Sequence, residues 1–159
     1  MDRRVVITGI GAVTPLGVGR EVVWRRLLAG DCGIGPVRSF DVSGYRVNRG
    51  AEVTDFRPAE YVRRLDPDRL GRASQFAVAA ARLALADAGA DDLAWDPERI
   101  GVYLGTTSGE PRVVEKFDDG VLAGKVDVAG PDLTFRYPSH VLAAHVAAEF
   151  GAGGVKHQR

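Results

Sequence analysis

Four consecutive β-branched residues, Val5-Val6-Ile7-Thr8, run straight into Gly9. Such a run has no polar alternate face, so it predicts a buried strand of a parallel sheet. A second run, Ile100-Gly101-Val102-Tyr103-Leu104, closes on Gly105 in the same way. Segments of helical period separate and follow these runs. In residues 20–29, Val23 with Leu27 and Trp24 with Leu28 are spaced four apart on one face, and Glu21 faces Arg25 on the other. Gly30 supplies the stop. Residues 72–88 predict an Ala-rich helix with Phe76, Ala80, Leu83 and Ala84 along one stripe, ended by Gly89. Pro138-Ser139 open a last helix to Phe150, with Val141, Leu142, Val146 and Phe150 as its apolar face. Strands alternating with helices predict an α/β fold with a parallel sheet, in one domain over residues 1–159. Two evident core strands are few for such a sheet.

The intervening segments are weaker. Three Gly and a Pro make residues 9–17 a loop. Residues 31–56 read as irregular, with a short strand near Ala51–Val53, and Pro58 opens a short helix through Arg64. Residues 106–136 form a polar excursion with Pro111 and Pro131 and a helix at Val113–Leu122. The last nine residues, from Gly151, read as a glycine-rich and then polar tail.

Charge excludes several partners. Lys plus Arg and Asp plus Glu are 21 each, a net charge of zero, which leaves no electrostatic footprint for nucleic acid or an anionic membrane. The apolar run after Asp2-Arg3-Arg4 is too short for a signal peptide or a membrane span. A cytoplasmic protein is the expectation. Cys32 is the sole cysteine, so neither an intrachain disulfide nor a cysteine metal cluster can form.

No chemical motif in the chain specifies a function by itself. Gly9-Ile10-Gly11 after a strand resembles the start of a dinucleotide loop, but Thr14 stands where the third glycine is needed and Pro15-Leu16-Gly17 postpones the helix. A tight backbone turn is the expectation, with nucleotide binding kept as a rival. Gly105-Thr106-Thr107-Ser108-Gly109 lacks the spacing of a serine nucleophile elbow, because Gly109 directly follows Ser108. Its place at the carboxyl end of a strand makes it a pocket-lining loop instead. His140 and His145 are five apart and share no helix face, which argues against a metal pair. His145 and Glu149, four apart, predict a surface hydrogen bond. Cys32, in a turn with no histidine near it in sequence, reads as a plain turn position rather than a nucleophile.

Taken in order, these segments resemble one family. Arg4 through Gly17, with Thr8-Gly9-Ile10-Gly11 and Thr14-Pro15-Leu16-Gly17 at its heart, resembles the opening of β-ketoacyl synthases of bacterial fatty-acid and polyketide systems. The likeness continues at Trp24 with Leu27 through Gly30, at Gly33-Ile34, at Phe40-Asp41, and from Gln75 through Gly89. It resumes at Arg99 through Val102 and at Pro138-Ser139 through Gly151, and it is weakest over residues 110–135.

The resemblance implies a thiolase-like fold, of which this chain carries the amino-terminal half. It also implies a cysteine that takes an acyl group from an acyl carrier protein, and two histidines with a lysine that promote decarboxylative condensation with a malonyl unit. Neither metal nor organic cofactor is implied. None of those catalytic residues has a counterpart here, and the sequence reads as ending just before the nucleophile's turn. Cys32 stands where relatives often carry Ser, so it inherits no role. Thr107, Ser108, Gly109 and Tyr137 are the candidate substrate-pocket residues, although the family's loop often has bulkier or glycine residues at Thr107-Ser108. A homodimer or a ketosynthase heterodimer is the implied assembly. The alternative is a non-catalytic, chain-length-factor type of partner subunit, against which Thr14-Pro15-Leu16-Gly17 looks more like the ketosynthase form.

Overall fold

A computed structural model describes residues 4–90, 95–125, 133, 136–154 and 156–158. Asp2 and Arg3 of the opening, Pro131 of the polar excursion, and Val155 and Arg159 of the tail lie outside those residues. The chain divides into two compact units, Met1–Arg57 with Arg82–Asp91, and Pro58–Ala81 with Asp92–Arg159.

In the first unit the loop of residues 9–17 ends in a small hairpin. Strands β1 (Val13–Thr14) and β2 (Gly17–Val18) pair antiparallel around Pro15-Leu16, and the Thr14 hydroxyl both donates to the Gly17 carbonyl and accepts from the Leu16 amide. Helix α1 follows at Arg20–Leu28. Beyond it, β3 (Ile34–Pro36) and β4 (Arg49–Ala51) pair antiparallel, with Gly35 opposite Gly50. The strand expected near Ala51–Val53 thus lies two residues earlier and has a partner that composition did not reveal.

Two expectations fail in this unit. Val5–Thr8 forms no strand, and Val5 and Ile7 are 95% and 85% exposed. A buried parallel strand exists only where neighbours supply its hydrogen bonds on both sides, and no other described strand pairs with this run. Helix α1 buries none of its residues, and Trp24, Leu27 and Leu28 are exposed rather than seated in a core. Its Glu21 pairs with the adjacent Arg20, not with Arg25.

Helix α2 (Arg72–Asp87) contributes its first ten residues to the second unit and its last six to the first. Both α1 and α2 end as the glycines predicted. Gly30 and Gly89 take φ of 75° and 65°, a left-handed conformation in which an amino acid with a Cβ is strained. Around them the amides of Gly30 and Asp31 reach back to the carbonyls of Leu27 and Arg26, and those of Gly89 and Ala90 to Ala86 and Leu85. Each pair satisfies carbonyls that the helix end would otherwise orphan.

The second unit holds a hydrophobic core cluster. Val62, Leu70, Val78 and Val146 are buried together, with Leu65, Ala77, Ala81, Val102 and Phe150 packed against them. On α2 the buried positions are Ser74, Val78 and Ala79, so the stripe predicted through Phe76, Ala80, Leu83 and Ala84 is only half-buried. Strand β5 (Val102–Leu104) and β6 (Lys156–Gln158) pair in parallel, Tyr103 opposite His157. Within the tail read as glycine-rich and then polar, Lys156–Gln158 therefore forms a strand. A parallel return needs a crossover, and helices α3 (Pro111–Leu122) and α4 (His140–Phe150) lie between the two strands in sequence. On α4, Val141, Leu142 and Val146 are buried as predicted.

Candidate functional site

The loop Gly105–Gly109 leaves the carboxyl end of β5, and its own contacts hold it in shape. The Thr106 hydroxyl donates to the Ser108 carbonyl at 2.6 Å. Thr107 and Ser108 are exposed, and Gly109 is buried. A Cβ on Gly109 would overlap the Tyr137 carbonyl oxygen and stand 3.2 Å from the Ser139 Cα. Glycine here lets two backbones touch, and the contact brings the loop against Tyr137. Tyr137 is 44% exposed. Of the four candidate pocket residues, Gly109 and Tyr137 thus meet through their main chains, while Thr107 and Ser108 are exposed.

Two carboxylates of the second unit, Glu110 next to this loop and Glu149 on α4, are buried, and sequence reasoning missed the burial of both. Glu110 is 4% exposed and accepts hydrogen bonds from the amides of Ala73 (3.2 Å) and Ser74 (2.8 Å), at the first turn of α2. Negative charge there opposes the helix dipole favourably and satisfies two orphan donors. Its partner is thirty-odd residues away, so no local pattern marks it. Glu149 is 5% exposed and accepts from the amides of Arg63 (2.7 Å), Arg64 (3.1 Å) and Leu65 (2.9 Å). Those three donors leave the helical ladder, which explains why Pro58–Glu60 forms a single 3₁₀ turn rather than a helix through Arg64. A signal existed here. Leu142, Val146 and Glu149 share one helical stripe, and a charge on an apolar stripe is buried only if paired.

The expected surface bond between His145 and Glu149 is replaced by these contacts. His145 is half-buried, and its Nδ1 lies 2.9 Å from the Ser74 hydroxyl. Burial holds the imidazole below its ordinary pKa of 6.5; the Glu110 charge works against that shift and Arg136 adds to it. A depressed folded-state pKa means that the unfolded chain takes up the proton first. This contribution to stability is therefore complete above pH 6.5 and is lost as pH falls toward the folded-state value. Denaturation midpoints measured from about pH 8 to 5 should show a decline that His145→Gln reduces; an identical decline in that variant would contradict the assignment.

The turn Gly9-Ile10-Gly11 is filled by the protein itself. The Ile10 amide donates to Asp87 at 2.9 Å, and Asp87 pairs with Arg20 at 2.6 Å. A Cβ on Gly9 would overlap the Ala84 carbonyl oxygen and come within 2.9 Å of the Ala88 amide nitrogen. The first glycine therefore serves close packing on α2, and the anion in the turn is a side-chain carboxylate. Cys32 is exposed. Among the described residues no group of three or more His, Cys, Asp or Glu is placed to hold a metal, and no helix is long and apolar enough to cross a membrane.

Comparison with known proteins gives this architecture its family. Residues 2–158 match the family model described as beta-ketoacyl synthase, N-terminal domain. The tetracenomycin polyketide synthase ketoacyl synthase alpha subunit of Streptomyces glaucescens is 37% identical over 160 residues, covering 96% of this chain and 37% of that protein. The 3-oxoacyl-[acyl-carrier-protein] synthase 2 of a Synechocystis strain is 38% identical over 113 residues, 71% of this chain and 27% of that protein. Among solved structures, the ishigamide ketosynthase/chain length factor superposes with a TM-score of 0.86 at 34% identity, over 96% of this chain and 38% of that one. The chain thus spans well under half the length of the relatives it matches. Its fold is the amino-terminal part of a thiolase-like ketosynthase, as the resemblance implied; the described strands form the antiparallel pairs β1–β2 and β3–β4 as well as the parallel pair β5–β6. The chain belongs to the β-ketoacyl synthase family.

Proposed function

We propose that residues 1–159 are the amino-terminal part of a ketosynthase domain that condenses an acyl thioester with malonyl-acyl carrier protein. In that reaction a cysteine thiolate takes the acyl group and releases the carrier thiol. Loss of carbon dioxide from the malonyl unit then yields the carbanion that attacks the acyl carbonyl and frees the cysteine. Neither that cysteine nor the two histidines and lysine of the family's site is assigned to any residue of this chain. These residues supply scaffold and pocket wall, and residues 1–159 alone are catalytically silent. The matching across residues 2–158 to ketosynthases carries this reading.

The pocket wall is assigned to Thr107, Ser108, Gly109 and Tyr137, supported by the loop's place at the end of β5 and by the contact of Gly109 with Tyr137. The acyl carrier protein is the proposed partner, in keeping with the name of the Synechocystis relative. A homodimer or a ketosynthase heterodimer is the proposed assembly, in the cytoplasm. The exposed Val5–Ile7 run and the bare face of α1 are surfaces that further chain or a partner subunit would cover.

Ser108→Phe tests the pocket in the complete protein that carries these residues. A phenyl ring in an acyl tunnel excludes methylenes worth about 0.8 kcal/mol each, so shorter products are expected. An unchanged product distribution removes Ser108 from the pocket.

A further inference from the structure

We propose that Glu110 is the positioning residue of the pocket loop: its buried carboxylate, clasped by the first turn of α2, fixes Thr107–Gly109 against Tyr137. This rests on the pocket assignment above. The loop is only five residues long, between β5 and Glu110, so the places of its two ends determine where its tip can stand. One end is tied by the strand pairing of Leu104. The other is tied by Glu110, which makes no side-chain bond to the helix it precedes and instead reaches the amides of Ala73 and Ser74. Both sides of that anchor are built around it. A Cβ on Gly71 would overlap the Glu110 carboxylate, and a Cβ on Gly109 would overlap the Tyr137 carbonyl. The same turn of α2 is held to α4 by Ser74 and His145. A carboxylate suits this place because charge-assisted bonds to amides are short and strong, whereas a neutral side chain leaves the donors weakly matched.

Two variants displace the anchor by independent routes. Glu110→Gln keeps its shape and removes its charge, and Gly71→Ala leaves Glu110 intact but takes its space. In ¹H–¹⁵N spectra of the purified chain, both are expected to shift the amide signals of Thr107, Ser108 and Gly109 together with those of Ala73 and Ser74. In a Glu110→Ala background, Gly71→Ala should then add little, since the colliding group is gone. Loop signals that stay in place while Ala73 and Ser74 move would overturn the proposal and leave Glu110 as a helix cap only. In the complete protein, Glu110→Gln should raise the acyl-primer KM about threefold or more and alter product lengths, with kcat held within about twofold. A fall in kcat with unchanged KM and products also overturns it. If the wild type makes no condensation product, the pocket assignment fails, and the spectra still decide whether Glu110 holds the loop.

Discussion

Replacing Glu149 by alanine should destabilise the folded chain by about 3–6 kcal/mol. The carboxylate is buried and accepts from three consecutive amides, those of Arg63, Arg64 and Leu65. Hydrogen bonds to a charged group contribute about 1.5–3 kcal/mol each, and a buried amide left without a partner costs about 1–3 kcal/mol. The loss is not confined to the bonds. Val62, just before those amides, and Leu65, which carries one of them, pack in the same core as Val78 and Val146, so freeing residues 63–65 loosens the core from one side. Glu149→Gln keeps the volume and one acceptor oxygen, and should fall between wild type and alanine. Urea unfolding of the three proteins measures this. A loss under about 1 kcal/mol for Glu149→Ala would show that water replaces the carboxylate without cost.

Gly9→Ala should cost about 1–3 kcal/mol, the range for forcing extra volume into a packed site. The added methyl meets the Ala84 carbonyl oxygen, which accepts the Ala88 amide in the last turn of α2. It cannot be relieved by a side-chain rotation, because the obstacle is backbone. Relief means shifting the turn of residues 9–11, and with it the Ile10 amide that binds Asp87. Gly35→Ala is the control, since a Cβ there meets nothing within 4 Å. At open positions Gly→Ala tends to stabilise by about 0.4–1 kcal/mol through the unfolded chain. The two substitutions should therefore differ in sign. Equal midpoints would mean that Gly9 is a free turn residue after all.

The parts legible in the sequence were those written in local chemistry. Helix ends followed from glycines that only a left-handed turn explains, at Gly30 and Gly89, and α4 followed from the spacing of Val141, Leu142 and Val146. The parts that were not legible depend on partners far along the chain. Val5–Ile7 has the composition of a central strand, but composition does not supply the neighbours that make one. The strand at Lys156–Gln158 carries no β-branched residue and owes its form to pairing with β5. On α2, alanines lie on every side, so periodicity could not choose between the predicted stripe and the one that Ser74 and Val78 define. At the candidate site the loop's position after β5 was readable, and its contact with Tyr137 was not. The carboxylate of Glu110 was hidden for the same reason. Glu149 alone left a visible sign, a charge on the apolar face of α4.

That residues 1–159 carry the scaffold of a ketosynthase and none of its chemistry is our proposal. It is tested by incubating the purified chain with an acyl-acyl carrier protein and carboxyl-labelled malonyl-acyl carrier protein, and following labelled carbon dioxide. The account predicts release at the level of the protein-free control, the same for wild type and for Cys32→Ser. Release above that control by the wild-type chain, abolished in Cys32→Ser, would show that the exposed Cys32 is a working nucleophile and would contradict the account.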